Sequence, residues 1–384
     1  MAHIDSPRPT WAEINLDNLA FNLHSIREFM GERTKIMAVV KANAYGHGSV
    51  ECAKRLAAEG SDWFGVATLE EAIELRDAEI QTPILCFGGS FPGQERVFIA
   101  HDITPVIFDL DRAAMFEKAA AELGRNLDVH VKIDTGMGRV GVPFRDVASW
   151  ADKLRQFENL HVEGVMTHFA AADDLEDEFT NLQMRRFADA VSAFQEKGFR
   201  PTVLDMANSP AAVAHSDSRA TMVRVGGILY GLSDDVLPKK AERPELQPVM
   251  SLKSGIAFLK KVPAGESIGY GRTFTTERES LIATLPIGYH DGLSRSLSNV
   301  GRVIISGKYA PIVGRISMDW TTIDVTAVPE VAVGDTVTLM GAQGDGEIKA
   351  EEIAFLTGTI SYEVTCGISE RVRRFYASND DGSN

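Results

Sequence analysis

KIMAVVKANAYGHG, from Lys35 to Gly48, sets an apolar run, Ile36 to Val40, directly against a lysine and then a loop of small residues, tyrosine and glycine. The run reads as a buried strand, with Lys41 at its carboxyl end. A lysine normally keeps its ammonium in water while its stem covers apolar surface, so one at the mouth of a buried strand needs specific solvation. The residues leave two readings open. Lys41 is either a strand-end lysine reaching solvent or a reactive amine, whose pKa of about 10.4 falls on burial toward the neutral form that makes a Schiff base.

Outward from that strand the same texture repeats. Eight apolar runs, KIMAVV, DWFGVAT, TPILCFG, ITPVIF, DVHVKID, HVEGVMTH, TVLDMAN and TMVRVGG, begin near residues 35, 62, 82, 103, 128, 161, 202 and 221. Between them lie amphipathic stretches such as Leu69 to Ala78 and Leu182 to Lys197, with apolar residues recurring at three and four. Eight uninterrupted units within about 200 residues predict a closed β/α barrel of the TIM type. An open doubly wound sheet is the alternative. After Lys239 the chain turns to short β-rich runs such as SLIATLPIG, GRVIISG and DTVTLMG, broken by Gly, Pro, Asn and Asp, which predicts a C-terminal, mostly β domain. The expected division is residues 1–240 for the barrel and 241–384 for the β domain, with Leu232 to Pro248 as linker and residues 1–12 pairing with the second domain. The last residues, SNDDGSN, read as frayed.

With 384 residues, 44% of them apolar, the chain can bury a large core. A formal charge of −15 argues against nucleic acid or an anionic membrane as partner, so any anion must be captured locally. The N-terminal MAHIDSPRPTWAEINL lacks a basic region followed by an apolar one, and no apolar run approaches a membrane span; the reading is cytoplasmic. Cys52, Cys86 and Cys366 are too few and too scattered for a disulfide framework or a zinc site and read as small core residues. No metal-ligand pattern joins the histidines to acidic residues, and neither a Walker loop nor GxGxxG after the first strand is present.

In a barrel the working residues stand at the carboxyl ends of the strands. Here those ends carry Lys41 and Tyr45, Asp134 and Arg139, His168, Asn208 and Ser209, and Arg224 followed by Gly226 and Gly227. Each has a plain structural reading: Asp134 and Asn208 as caps, Ser209 in a turn before Pro210, His168 as an interior histidine. Together they suit a phosphorylated cofactor with a reactive aldehyde. Gly226 and Gly227 let backbone N–H groups approach an oxyanion, Ser209 and Tyr45 add hydroxyls, Lys41 would form the Schiff base, and Arg224 and Arg139 supply fixed charge. In the second domain, Tyr270 between Gly269 and Gly271, PIGYHDG at Pro286 to Gly292, and GRISMDW at Gly314 to Trp320 stand out.

The ordered set VVKANAYGHG, KIDTGMGRVG, MTHFAAAD, ANSPA, VRVGGILYGL, GYGRTF, PIGYHDG, GRISMD and TISYEVTCGI, running nearly end to end, resembles the alanine racemases, pyridoxal-phosphate enzymes of barrel and β domain. The resemblance implies that Lys41 binds pyridoxal 5'-phosphate and acts as one catalytic base. Tyr270 would be the other, supplied by the second subunit of a homodimer with shared active sites. It further implies phosphate binding by Tyr45, Ser209, Tyr362 and the backbone of Gly226 and Gly227, and Arg224 on the pyridine nitrogen. Arg139 would serve the phenolate and the substrate carboxylate, the Met318 backbone the same carboxylate, and His168 would link Arg224 to Tyr270. Lys132, Tyr289 and Asp319 would support that layer, Lys132 at a position carbamylated in some members. Gly227 departs from the usual Ile or Leu. The implied activity is alanine racemisation supplying D-alanine for peptidoglycan; the rivals are a racemase of broader range, acting on serine or a basic amino acid, an enzyme of the same barrel and cofactor that decarboxylates or eliminates, and a non-catalytic cofactor carrier.

Overall fold

The computed structural model describes residues 8–31 and 33–378. By its internal contacts the chain forms two units, one of Leu19–Ala44 and Gly48–Gln247, the other of the residues to Asn18, Tyr45–His47 and those from Pro248. The expected frayed tail from Asn379 and the pairing expected of residues 1–7 lie outside the described residues.

In the first unit the eight barrel strands occupy Lys35–Val39, Trp63–Val66, Ile84–Cys86, Ile103–Ile107, Leu127–Asp134, Leu160–Met166, Val203–Asp205 and Met222–Val225, and a two-residue strand, Val142–Pro143, pairs beside the fifth. Each pairs in parallel with the next, and the eighth returns to the first through Val223 opposite Ile36. The sheet therefore closes, which excludes the doubly wound alternative: an open sheet would leave its outer strands unpaired. Helices such as Leu69–Asp77 and Phe179–Glu196 occupy the amphipathic stretches. Thr68 begins the first of these with a capping box, its hydroxyl accepting from the Glu71 N–H while the Glu71 carboxylate accepts from the Thr68 N–H.

The barrel interior is filled, not hollow. Met37, Trp63, Leu85, Val106, Met166, Val203 and Met222 pack as one buried cluster with Phe87 and Phe108 against it. The fifth strand contributes His130, fully buried, with its ring 5.4 Å from that of Trp63. Gly164 on the sixth strand makes room for that ring: a Cβ at Gly164 would come within 2.5 Å of it. Gly164→Ala is expected to destabilise the protein by about 1–3 kcal/mol, because an enclosed ring cannot move aside without displacing its neighbours. An unfolding midpoint in urea equal to that of the unaltered protein would refute this account of the packing.

In the second unit the strand Thr10–Asn15 lies between Met250–Gly255, antiparallel, and Arg373–Ala377, parallel. The sheet continues through Thr336–Gln343, Arg302–Ile305 and Lys308–Pro311, and a separate sheet joins Phe258–Val262, Ser280–Leu285 and Thr321–Asp324. Two short helices, Ala350–Thr357 and Ser361–Cys366, complete this mostly β unit. Cys52 and Cys86 are buried as expected, but Cys366 is exposed. The helix buries Ser361 and Thr365, four residues apart on one face, and the next residue turns outward.

Candidate active site

The loop after the first strand is built against the usual handedness. Ala42, Asn43, Ala44 and Tyr45 all have φ between 52° and 54°, forming a left-handed turn that costs L-residues about 1–2 kcal/mol each. Local hydrogen bonds hold it. Ala44 N–H donates to Val40 O at 2.9 Å, Gly48 N–H to Asn43 O at 2.9 Å, and Asn43 Oδ1 accepts from Ser49 N–H at 2.8 Å. The Glu71 carboxylate, already in its capping box, accepts from Ala42 N–H at 2.7 Å through its other oxygen. One acidic side chain thus ties the peptide that follows Lys41 to the start of the helix Leu69–Asp77, which follows the second strand. Strain concentrated beside a candidate reactive group is held in place by the surrounding structure.

At the other strand ends the structure gathers cations around a histidine. Arg224 is buried on the eighth strand, and its Nη2 donates to Thr167 O at 2.9 Å and Met206 O at 3.3 Å and bonds His168 Nδ1 at 3.1 Å. Its Nη1 donates to the Asp205 carboxylate and, at 3.3 Å, to the Asp205 carbonyl. Among the described residues none accepts from Nε–H. Burial and then the charges of Arg224, Lys132, Arg139 and Lys41 push the His168 pKa down to about 2. Burial first, with Arg224, Arg139 and Lys41, also brings the Lys132 amine down to about 8, against the opposing pull of Asp134. Lys132 is buried within the fifth strand, whereas Arg139 is exposed in the loop beyond it. In an acidic chain this is a local positive field, suited to an anion.

Asn208 and Asp134 make the bonds of their plain structural roles. Asn208 Oδ1 accepts from Ala211 N–H at 3.2 Å as a cap, and Asp134 Oδ1 accepts from Gly136 and Gly138 N–H at 2.9 and 3.1 Å. Ser209 is buried, and its Oγ accepts from Gly226 N–H at 3.0 Å, which leaves the hydroxyl proton for an acceptor oxygen. Within the second unit the Tyr45 and Tyr362 rings are 5.4 Å apart, and burial, with Tyr362 and Cys366 adding to it, raises the Tyr45 pKa, so its phenol stays a donor.

Also in the second unit, three motifs meet. Tyr289 N–H donates to Ser317 O at 3.0 Å and His290 N–H to Met318 O at 3.1 Å, joining PIGYHDG to GRISMD. A Cβ on Gly288 would strike Ser317 O at 2.3 Å, so only glycine allows that approach. Gly269, at φ 75°, packs GYGRTF against the same segment: a Cβ there would lie 3.1 Å from Arg315 N. Asp319 accepts both Arg371 Nη groups at 2.9 Å. Tyr270, Tyr289, Met318 and Trp320 are exposed, Tyr270 by 72%.

Two family models match, described as "Alanine racemase, N-terminal domain" over residues 14–234 and "Alanine racemase, C-terminal domain" over residues 249–376. The alanine racemase of Geobacter sulfurreducens is 44% identical over 375 residues, covering 96% of this chain and 97% of that protein. The chain belongs to the alanine racemase family. That membership makes it an isomerase, an amino-acid racemase. Among solved structures, the alanine racemase of Clostridium difficile 630 superposes with a TM-score of 0.91 at 41% identity, covering 99% of this chain and 97% of that one. That of Bartonella henselae, solved with covalently bound pyridoxal phosphate, gives 0.86 at 27% identity over 97% of this chain and 100% of that one.

Some groups at the site of this alanine racemase family member give little signal in the sequence. Asp205 lies inside TVLDMAN and Glu71 inside an amphipathic helix; for Asp205 the signal is an acidic residue in an otherwise apolar strand, since a buried carboxylate needs a partner. Gln183 is buried, and its Nε2 donates to His168 O and Thr135 Oγ1, each at 3.0 Å. Tyr230 O–H donates to Val39 O at 3.0 Å, bracing the first strand.

The low pKa of His168 has a measurable consequence. Because the folded value lies below the roughly 6.5 of an unfolded histidine, the unfolded chain binds the proton first on acidification. Stability from this group is whole above about pH 6.5 and is lost progressively as pH falls toward about 2. In an NMR titration the His168 ring resonances are expected to stay flat between about pH 5 and 8, whereas a midpoint near 6.5 would contradict the electrostatic account.

Proposed function

We propose that the chain interconverts L- and D-alanine with pyridoxal 5'-phosphate attached at Lys41, acting as a cytoplasmic homodimer whose product D-alanine serves peptidoglycan synthesis. The observation that carries this reading is the buried Arg224 guanidinium, bonded to a neutral His168 among Lys41, Lys132 and Arg139, with its Nε–H unclaimed by the described residues. That donor set fits an anionic cofactor presenting an aromatic nitrogen acceptor.

When bound, pyridoxal phosphate supplies an electron-withdrawing ring that acidifies the α-proton of an amino acid joined to it. The chain's residues do the rest. Lys41 holds the group and then takes or returns a proton on one face, while the partner's Tyr270 does so on the other. Two bases on opposite faces let a proton leave one side and return from the other without rotation of the substrate. Arg224 would donate to the ring nitrogen, but a guanidinium with a pKa above about 12 does not surrender its proton, which keeps the ring a weaker electron sink and disfavours transamination. Tyr45, Ser209, Tyr362, Gly226 and Gly227 would hold the phosphate. Arg139 and the Met318 backbone would hold the carboxylate, with Lys132 orienting Arg139 and with Tyr289 and Asp319 supporting the Met318 segment. His168 would stand between Arg224 and the partner's Tyr270. The exposed Tyr270, Tyr289, Met318 and Trp320 support a covered, shared surface.

The test is a spectrum of the purified protein with added cofactor, then incubation with L-alanine and chiral analysis. Comparing kcat/KM for alanine, serine and lysine sets the substrate, because one methylene discriminates by only about 1–3 kcal/mol. A larger value for lysine would overturn alanine, and release of carbon dioxide or ammonia in place of inverted alanine would overturn racemisation.

A further inference from the structure

The Arg224 guanidinium does not reach the site as an isolated cation. Asp205, the last residue of the seventh barrel strand, is fully buried, and its Oδ1 accepts from Arg224 Nη1. The strand register places Asp205 opposite both Met222 and Met166, so a single acidic position between the sixth and eighth strands faces the arginine. The second carboxylate oxygen, Oδ2, has no hydrogen-bond partner among the described residues. Carbonyl and imidazole acceptors would by themselves orient the guanidinium; Thr167, Met206 and His168 already do so on Nη2. Burial pushes the Asp205 carboxyl pKa up while the Arg224 guanidinium bonded to it pulls the other way, and the ion pair so held is costly to bury and unnecessary for orientation alone.

We propose that Asp205 is a positioning residue that offsets the charge of Arg224, so that Nε–H is offered to the cofactor ring as a hydrogen bond with much of the cationic pull removed. The inference rests on the reading of Arg224 and Lys41 given above and deepens it. An arginine alone would place a full positive charge beside the ring nitrogen in a poorly screened interior. Paired with Asp205 it presents a dipole, with the negative end on the far side of the guanidinium. The ring then draws fewer electrons from the substrate carbon, and the same offset lowers the positive potential at the Lys41 linkage.

The test compares unaltered holoenzyme with Asp205→Asn and Asp205→Ser, two variants of different volume. The pH midpoint of the absorbance of the lysine-bound cofactor is read first. Removing the negative charge disfavours the protonated linkage, so this midpoint is expected to fall by about one unit. With [15N]pyridoxal phosphate, the ring-nitrogen resonance is expected to move toward its protonated position. In turnover with alanine, the fraction of events ending in pyruvate and aminated cofactor should rise several-fold. If the unaltered protein shows no cofactor absorbance, the assignment of Lys41 and Arg224 fails and the proposal with it. If the band is present but midpoint and nitrogen shift are those of the unaltered enzyme in both variants, the proposal alone fails. If neither variant folds with cofactor present, the pair is a structural ion pair and the tuning role is refuted.

Discussion

Lys41→Ala is expected to give a folded protein that acquires no lysine-linked cofactor absorbance and whose racemisation falls by about 10⁴-fold or more, since it loses both the attachment point and one base. The expectation of intact folding follows from the charges. Lys41 adds to the positive field that depresses Lys132 and His168, so its removal relieves repulsion. The Lys132 amine should accordingly titrate above its present value of about 8 in the variant. Measured by absorbance, chiral chromatography and thermal unfolding, persistence of racemisation would refute the assignment, and a large loss of stability would refute the charge argument.

Tyr270→Phe should also damage turnover severely, though less than Lys41→Ala, and be nearly silent for the stability of the subunit itself. In the single chain the residue is 72% exposed, so loss of the hydroxyl changes the subunit's own stability by no more than about 0.5 kcal/mol. A missing general base costs about 10²–10⁴-fold, and with one base left, α-proton exchange in deuterated water should survive from one enantiomer only. Mixing this variant with Lys41→Ala tests where the tyrosine acts. In a two-fold dimer with shared sites, random pairing makes half the dimers mixed and leaves one of their two sites intact, so activity should recover to about a quarter of the unaltered level. If Tyr270 served its own subunit, the mixture would stay inactive.

Much of the barrel was legible because period and punctuation repeat. The strands expected near residues 62 and 82 begin at Trp63 and Ile84, and those expected near 202 and 221 at Val203 and Met222. Closure was legible from the number of units in series, and the first-to-eighth pairing realises it. The site was legible only as residue types at strand ends. The grouping of Arg224, His168 and Lys132 depends on the barrel bringing together positions dozens of residues apart, and Asp205 gave no signal beyond being acidic in an apolar strand. Cys366 is exposed where the sequence reads as core, because a helix of six residues carries too little periodicity to reveal its buried face. The left-handed turn was hidden for a different reason: only Asn43 among Ala42 to Tyr45 belongs to the residue types that favour positive φ. Its conformation comes from hydrogen bonds such as Glu71 to Ala42, not from local preference.

That turn also bears on chirality. The backbone region that is strained for an L-residue is the mirror image of the one L-residues prefer, and so is the relaxed region for a D-residue. Ala42 and Ala44 are therefore L-alanines held in the shape natural to D-alanine, beside the lysine assigned to inverting that amino acid. A chain assembled by peptide ligation with D-alanine at these two positions would adopt the turn without the handedness penalty, whereas at most other alanines of the protein the same inversion would break a helix or strand.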